Sequence, residues 1–164
     1  MSKSKKKKYV PKPVNPNPLG LLAGSAPITA SNLATVEVKH YSALDALTKG
    51  VGTRRDWDLV THALNTANVL ATLHKVGLEF FKDILKAQKA HNNCGVRRVK
   101  GANFGYTGPE LQAVREALQV YEGQLLVASA KEVEAAKWEV TKRLAYGRFS
   151  YSPKDDKILE VESV

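Results

Sequence analysis

The stretch TGPELQAVREALQVYEGQLLVASAKEVEAAKWEVTKRLAYG, residues 107–147, carries the clearest helical pattern in the chain. Thr107 and Glu110 have the spacing of a capping box, Pro109 suits a first helical turn, and Gly147 suits a helix end. Apolar residues recur through it about every 3.6 to 3.7 positions. They are Leu111, Val114, Leu118, Leu125, Val133, Ala136, Val140 and Leu144. We predict one helix of about 37 residues here, far longer than the usual helix, and it needs a partner along much of its length.

Upstream segments supply that partner. YSALDALTKG (41–50) has a Ser42–Asp45 capping pair and a terminal Gly50, and TRRDWDLVTHALNTANVLATLHKVG (53–77) has a Thr53–Asp56 pair. The next segment predicts a helix to about residue 91, ended by an Asn-Asn-Cys-Gly turn (92–95). The predicted fold is mainly α: an antiparallel helical hairpin or bundle completed by the long helix.

The ends of the chain differ from this helical domain, which we predict over 32–147. Residues 1–31 are rich in lysine and proline and predict an extended or flexible basic arm. ATVEVK (34–39) has a brief strand-like alternation. Residues 148–164 predict a short strand-like tail, with a small hairpin around Ser152-Pro153-Lys154-Asp155.

Composition predicts a soluble globular protein: 43% of the 164 residues are hydrophobic, 25% are charged, and the net charge is +9. Six of the 25 basic residues are lysines of the arm, which leaves 19 basic against 16 acidic residues elsewhere. The positive charge is therefore concentrated in the arm. Its candidate electrostatic contacts are Lys5, Lys6, Lys7 and Lys8.

Cysteine use and hydropathy bear on location. Cys94 is the only cysteine, so an intramolecular disulfide is ruled out. The apolar run of LGLLAGSAPITA (19–30) is short and interrupted by glycine and proline, and no segment reaches the ~20 apolar residues of a membrane span. We expect a cytoplasmic protein without a transmembrane segment.

Motifs of catalysis are missing from the sequence. It contains no Walker A loop, GxGxxG, GxSxG or HExxH pattern. His91 and Cys94 form an H-x-x-C pair, but structural zinc requires about four ligands. We expect no enzyme activity, no cofactor and no metal.

Cations and aromatic residues cluster in the middle of the chain. Four lysines fall within about 60° of each other if residues 74–91 form one helix. They are Lys75, Lys82, Lys86 and Lys89, and Arg97, Arg98 and Lys100 follow, interleaved with Phe104 and Tyr106. This combination suits a phosphate backbone and stacked bases, although a lysine face is more often merely solvated.

Aromatic residues on the predicted long helix suggest a different use. Tyr121, Trp138 and Tyr146 would be partner-interface residues if they point outward, because aromatic side chains on a rigid helix are good anchors. The part of 107–147 that is not covered within the chain would then suit a protein partner or a homodimer contact.

Two segments resemble a group of small, uncharacterised accessory proteins of tailed phages and prophages. They are HYSALDALTKGVGTRRDWDLVTHALNTANVLATL (40–73) and GPELQAVREALQVYEGQLLVASAKEVEAA (108–136). The resemblance lies in the pattern of helices and caps over about two thirds of the chain, and it transfers no site residue. It implies a phage origin and an accessory role in the cytoplasm of an infected bacterium.

Two hypotheses for function remain. The first, slightly favoured, is a non-enzymatic protein that binds a host or phage protein, for example to inhibit a host enzyme or a defence complex. The alternative is a nucleic-acid-binding accessory protein that uses the arm and the lysine-striped helix. In both hypotheses the arm would act as an electrostatic tether. It would equally suit an anionic membrane surface.

Overall fold

The computed structural model describes residues 11–15 and 29–148. Five α-helices form a bundle, and no β-strand occurs in this part of the chain, so the mainly α prediction is confirmed. The helices are α1 (Ala30–Thr48), α2 (Arg54–Leu73), α3 (Phe81–Val99), α4 (Gly108–Val127) and α5 (Ala130–Ala145).

Helix α2 is the centre of the bundle because it contacts each of the other four helices. Every residue of the run 63–71 is buried, on all sides of the helix. α1 and α5 pack directly on α2, and α3 and α4 also pack against each other. All nine residues of ALNTANVLA (63–71) are uncharged, as expected for a helix that is enclosed on all sides.

Two buried amides of α2, those of Asn65 and Asn68, are hydrogen-bonded to α3. Gln88 donates from Nε2 to the Oδ1 of Asn65 at 2.8 Å, and its Oε1 accepts from Nδ2 of Asn68 at 3.2 Å. Buried amides cost free energy unless they are hydrogen-bonded. This network therefore fixes the register of α3 on α2.

The prediction of one helix of about 37 residues at 107–147 is wrong. The chain leaves the helix at Ala128, which has an extended backbone, and Ser129 then caps α5 with its own capping box. The Ser129 N–H donates to Glu132 at 2.8 Å, and the Glu132 N–H donates to Ser129 Oγ at 3.3 Å. The apolar stripes of α4 and α5 happen to stay in phase across the break, so periodicity alone does not reveal it.

Two helix boundaries upstream also differ from the predictions. α1 already begins at Ala30 after the cap Thr29, so ATVEVK and Ser42 both lie inside a helix and Ser42 is no cap. Residues 30 and 31, predicted as part of the arm, therefore belong to α1. α3 continues through the Asn-Asn-Cys-Gly segment to Val99, because Cys94 is buried in the core there.

Other predicted boundaries are confirmed. Thr53 and Asp56 form the expected capping box at the start of α2. The Thr107 N–H donates to Glu110 at 2.8 Å, with proline in the first turn of α4. By contrast, α2 ends at Leu73, four residues before the end of the predicted segment 53–77. Gly77 has a left-handed conformation (φ 70°) that favours glycine, and a short 3₁₀ turn, Leu78–Phe80, leads from it into α3.

Several predictions concern residues outside the described part. The lysines of residues 5–8 and all but the first residue of the predicted strand-like tail 148–164 belong there, and they stay predictions. Among the described residues, none of the helices is both long and apolar enough to cross a membrane.

Candidate functional site

His91 forms the buried base of the candidate site. It lies on α3 and is only 2% exposed. Its Nε2 is 3.0 Å from the backbone oxygen of Trp57, which can only accept, so Nε2 carries the proton. Its Nδ1 then accepts from the hydroxyl of Tyr106 at 2.6 Å. Burial lowers the pKa of His91 to about 4, so the ring is neutral near pH 7 and is a rigid packing element.

Trp57, in the first turns of α2, lies flat on this histidine. The two rings stack with centroids 4.9 Å apart and an interplanar angle of 14°. The indole N–H donates to the backbone oxygen of His91 at 3.3 Å. Gly95 makes room for the indole, since a Cβ there would be 2.9 Å from Cζ2 of Trp57. One face of Trp57 is therefore fixed against α3.

An ion pair positions the connector between α3 and α4. Arg97 makes two hydrogen bonds to the carboxylate of Glu110 and one, of 2.7 Å, to the backbone oxygen of Gly105. Burial alone would raise the pKa of Glu110, but the hydrogen bonds from Arg97 and Thr107 outweigh it and lower that pKa to about 2. The connector is thus held against the end of α3, with Phe104 only 8% exposed.

These elements border an open pocket of about 530 Å³ between the start of α2 and the end of α3. Trp57 and Phe104 give it two aromatic surfaces. Three cations line it and no carboxylate does. The lining residues are Gly52, Thr53, Arg54, Trp57, Asn92, Gly95, Val96, Arg98, Val99, Lys100 and Phe104. We call this the basic–aromatic pocket.

The arginines of the basic–aromatic pocket lie over its aromatic rings. Cζ of Arg54 is 5.3 Å from the ring centroid of Trp57, and Cζ of Arg98 is 5.7 Å from that of Phe104. Arg54 also pairs with Asp58 at 2.8 Å, in an exposed pair that adds little stability. Both guanidinium groups are thus placed where an anion bound at the aromatic surfaces would meet them.

A row of lysines leads along α3 to the pocket. On an ideal helix, Lys82, Lys86, Lys89 and Lys100 lie within about 60° of one another, and the row is about 27 Å long. Lys86 makes a long contact of 4.0 Å with Asp83. We call these four residues the α3 lysine row. Its far end, Lys100, is itself part of the pocket lining.

Some of the predicted cationic residues lie where the sequence places them, and others do not. Lys75 lies outside α3, in a left-handed turn, and donates to the backbone oxygen of Thr72, so it is not on the lysine face as predicted. The side chains of Arg97 and Tyr106 make hydrogen bonds within the protein, whereas Arg98 and Lys100 line the pocket. The sequence does not indicate Arg54 and Trp57, because residues 54–57 and 92–104 are far apart along the chain, and it does not indicate Asn92, because residues 92–95 predict a turn.

The predicted interface aromatics do not form one surface. Tyr121 is 3% exposed and packs in the core, so the expectation that it points outward is wrong. Trp138 is half-buried on α5, and Tyr146 is exposed at its end, with Arg148 near its ring. Burial of Tyr121 follows from its place on the α4 face that packs against α1 and α2.

A second concavity of about 830 Å³ lies between residues 75–83 and α4. Phe80 and Val127 are exposed apolar residues at its edge, and Glu79, Asp83 and Glu116 contribute acidic groups. We call it the α4 groove.

Within residues 11–15 and 29–148, no three histidine, cysteine or acidic residues are arranged to hold a metal ion.

Comparisons with known proteins add no relative. No protein family, curated protein or solved structure matched the chain.

Proposed function

We propose that this protein is a non-enzymatic accessory protein that binds nucleic acid through the α3 lysine row and the basic–aromatic pocket. The observation that carries the proposal is their continuity: a row of cations about 27 Å long ends at a pocket lined by three cations, two aromatic rings and no carboxylate. Lysine and arginine neutralise phosphates, and aromatic faces stack on bases.

The polar groups around the pocket support a binding role over a catalytic one. His91 is held neutral by burial and bonded at both ring nitrogens, and Glu110 is engaged by Arg97 and Thr107. Burial raises the pKa of Cys94, which keeps the thiol protonated and weakly nucleophilic. These groups hold the aromatic surfaces in place.

The lysine-rich arm fits the same role. A polycationic segment adds salt-sensitive affinity to any nucleic-acid site, and Lys5, Lys6, Lys7 and Lys8 would act in this way. The resemblance to tailed-phage accessory proteins supports the cytoplasm of an infected bacterium as the place of action.

A charge-reversal experiment tests this proposal. Fluorescence anisotropy with a labelled single-stranded oligonucleotide compares the double variant K86E/K100E with the control K39E/K131E, which reverses two exposed lysines on α1 and α5. We expect only the first variant to bind more weakly, by about tenfold or more, with a log–log salt slope shallower by about 0.7 for each phosphate that is no longer neutralised. Equally weakened binding in both variants would reject the site and leave only a general charge effect.

A protein partner remains the second candidate, and the α4 groove is the observation that favours it. Phe80 is 43% exposed at its edge, and Val127 and Leu126 on α4 are more exposed still. Exposed apolar residues around a concavity are typical of protein interfaces. If the α4 groove binds a protein partner, the variant F80S should fail to bind it, or should fail to form a homodimer as measured by light scattering. The variant V99E, in the basic–aromatic pocket, should behave as the wild type does.

A further inference from the structure

We propose that the basic–aromatic pocket captures one unstacked base of a single strand, while the α3 lysine row holds the phosphates of neighbouring nucleotides. This inference rests on the proposed function and adds the form of nucleic acid that is bound. In this proposal the lysines contribute the charge-dependent part of the affinity, and the pocket contributes the part that depends on a base.

The rigidity of Trp57 is the first support. One face of its indole is stacked on His91, and its edge lies against Gly95, where no Cβ interferes. The ring is therefore held before any ligand arrives. The exposed guanidinium of Arg54 lies 5.3 Å from the ring centroid, and a base that stacks on the ring displaces it. A preorganised aromatic surface binds a flat ring at a low cost in conformational entropy.

The lining of the pocket is the second support. Its surface combines two aromatic rings with apolar side chains, among them the exposed Val96 and Val99. The carboxylate side chain of an acidic peptide could pair with the cations of this surface. It has no group that fills the apolar volume. A nucleotide satisfies both, because its base is flat and its phosphate is anionic.

The recessed position of the pocket is the third support. It lies between the start of α2 and the end of α3, and Phe104, which lines it, is largely buried. A base within a duplex is paired and stacked, so it reaches a recess only after leaving the stack, which costs free energy. Single strands present their bases without that cost, so we expect the protein to bind a single strand more tightly than a duplex.

The backbone oxygens at the end of α3 do not oppose anion binding strongly. Those of Val96, Arg97 and Arg98 accept from the N–H groups of Lys100, Ala102 and Gly101. The basic side chains of Arg97 and Arg98 lie in the last turn as well. The negative end of the helix dipole is thus largely compensated next to the pocket.

The test uses two synthetic strands with the same number of phosphates. One is fully abasic, and the other carries a single central adenine; each has about 12 units, within the range of known single-strand site sizes. The full-length W138F variant serves as the reference, since Trp57 is then its only tryptophan. We expect the strand with one base to bind about 5- to 150-fold more tightly and to change the fluorescence of Trp57.

Matched valine variants locate the effect. Val99 lines the pocket and Val38 is on α1, and both are exposed, so V99E and V38E bring the same charge change without disturbing the core. V99E should abolish the advantage of the one-base strand, and V38E should retain it. An adenine-bearing RNA strand and free AMP, measured in parallel, distinguish DNA, RNA and a mononucleotide as the source of the base.

The outcomes separate the two proposals. Equal, salt-sensitive binding of both strands with unchanged Trp57 fluorescence would overturn base capture and leave nucleic-acid binding intact. Tighter binding of a duplex than of the single strand would also overturn it. Failure of both strands and of a mixed-sequence oligonucleotide to bind would reject the proposed function itself.

Discussion

The indole of Trp57 and the imidazole of His91 stack at 4.9 Å although 34 positions separate them in the sequence. This stacking joins the start of α2 to the middle of α3, and the backbone oxygen of each residue accepts a hydrogen bond from the side chain of the other. The buried His91 thereby fixes the half-buried Trp57 ring, which lines the pocket.

Removing the hydroxyl of Tyr106 should destabilise the protein. In the variant Y106F, the buried Nδ1 of His91 loses its donor, which costs about 1–3 kcal/mol for an unsatisfied buried group. Urea unfolding followed by circular dichroism measures this difference. The control Y146F changes an exposed tyrosine and should leave the free energy of unfolding within about 0.5 kcal/mol of the wild type. Equal stabilities for Y106F and the wild type would contradict the role of this hydrogen bond.

Stability should fall as the pH drops from about 6.5 to about 4. The pKa of His91 is lowered to about 4 in the folded state, mainly by burial, and that of His40 is likewise lowered to about 4 by burial and by neighbouring His62. The unfolded chain, with histidine pKa values near 6.5, therefore binds more protons in this window. The stabilisation is fully present above pH 6.5 and disappears on acidification.

The variant H91Q isolates one part of this effect. For a fully buried ring, the shift of His91 corresponds to a free-energy change of about 3 kcal/mol across the window. Urea titrations at several pH values should show a shallower dependence for H91Q than for the wild type, whatever its absolute stability. Parallel curves would mean that His91 titrates normally in the folded protein.

Two glycines inside helices should respond in opposite ways to alanine. G95A places a Cβ 2.9 Å from the ring of Trp57, so the indole has to move, at a cost of about 1–3 kcal/mol. G123A meets no atom within 4 Å and should stabilise α4 by up to about 1 kcal/mol. Thermal melts of the two variants give the comparison. A neutral G95A would show that Trp57 is not held as described.

The break between α4 and α5 gives another paired test. S129A removes a helix cap and should cost about 1 kcal/mol. S42A lies within α1 on its exposed side and should be neutral or slightly stabilising, because alanine is the better helix former. The opposite order in urea unfolding would favour a continuous helix through residue 129 and a helix start at Ser42.

The contrast between these two serines shows which features the sequence could predict. The caps at Thr53 and Thr107 were found because a capping box is a local pattern. Ser129 has the same pattern with Glu132, but the uninterrupted apolar stripe through residues 111–144 predicts a single helix. Ser42 and Asp45 have the same spacing but form no cap, since α1 already begins at Ala30 after the cap Thr29.

The pocket depends on tertiary packing that local patterns do not encode. The polar residues 92–95 resemble a turn, yet they continue α3 because Cys94 is buried and Gly95 accommodates Trp57. The sequence did indicate Arg98, Lys100 and Phe104 as a group of cations and an aromatic residue. It did not indicate Arg54 and Trp57, whose proximity to that group depends on how α2 packs against α3.

The most direct test of the central claim is photo-cross-linking of a bromouracil-substituted single strand, followed by mapping of the linked peptides by mass spectrometry. Binding at the basic–aromatic pocket predicts cross-links to Trp57 or Phe104 that disappear in V99E and persist in V38E. Cross-links confined to residues 1–15, or to the surface around Trp138 and Tyr146, would contradict nucleic-acid binding at the pocket, because they would place the strand elsewhere on the protein.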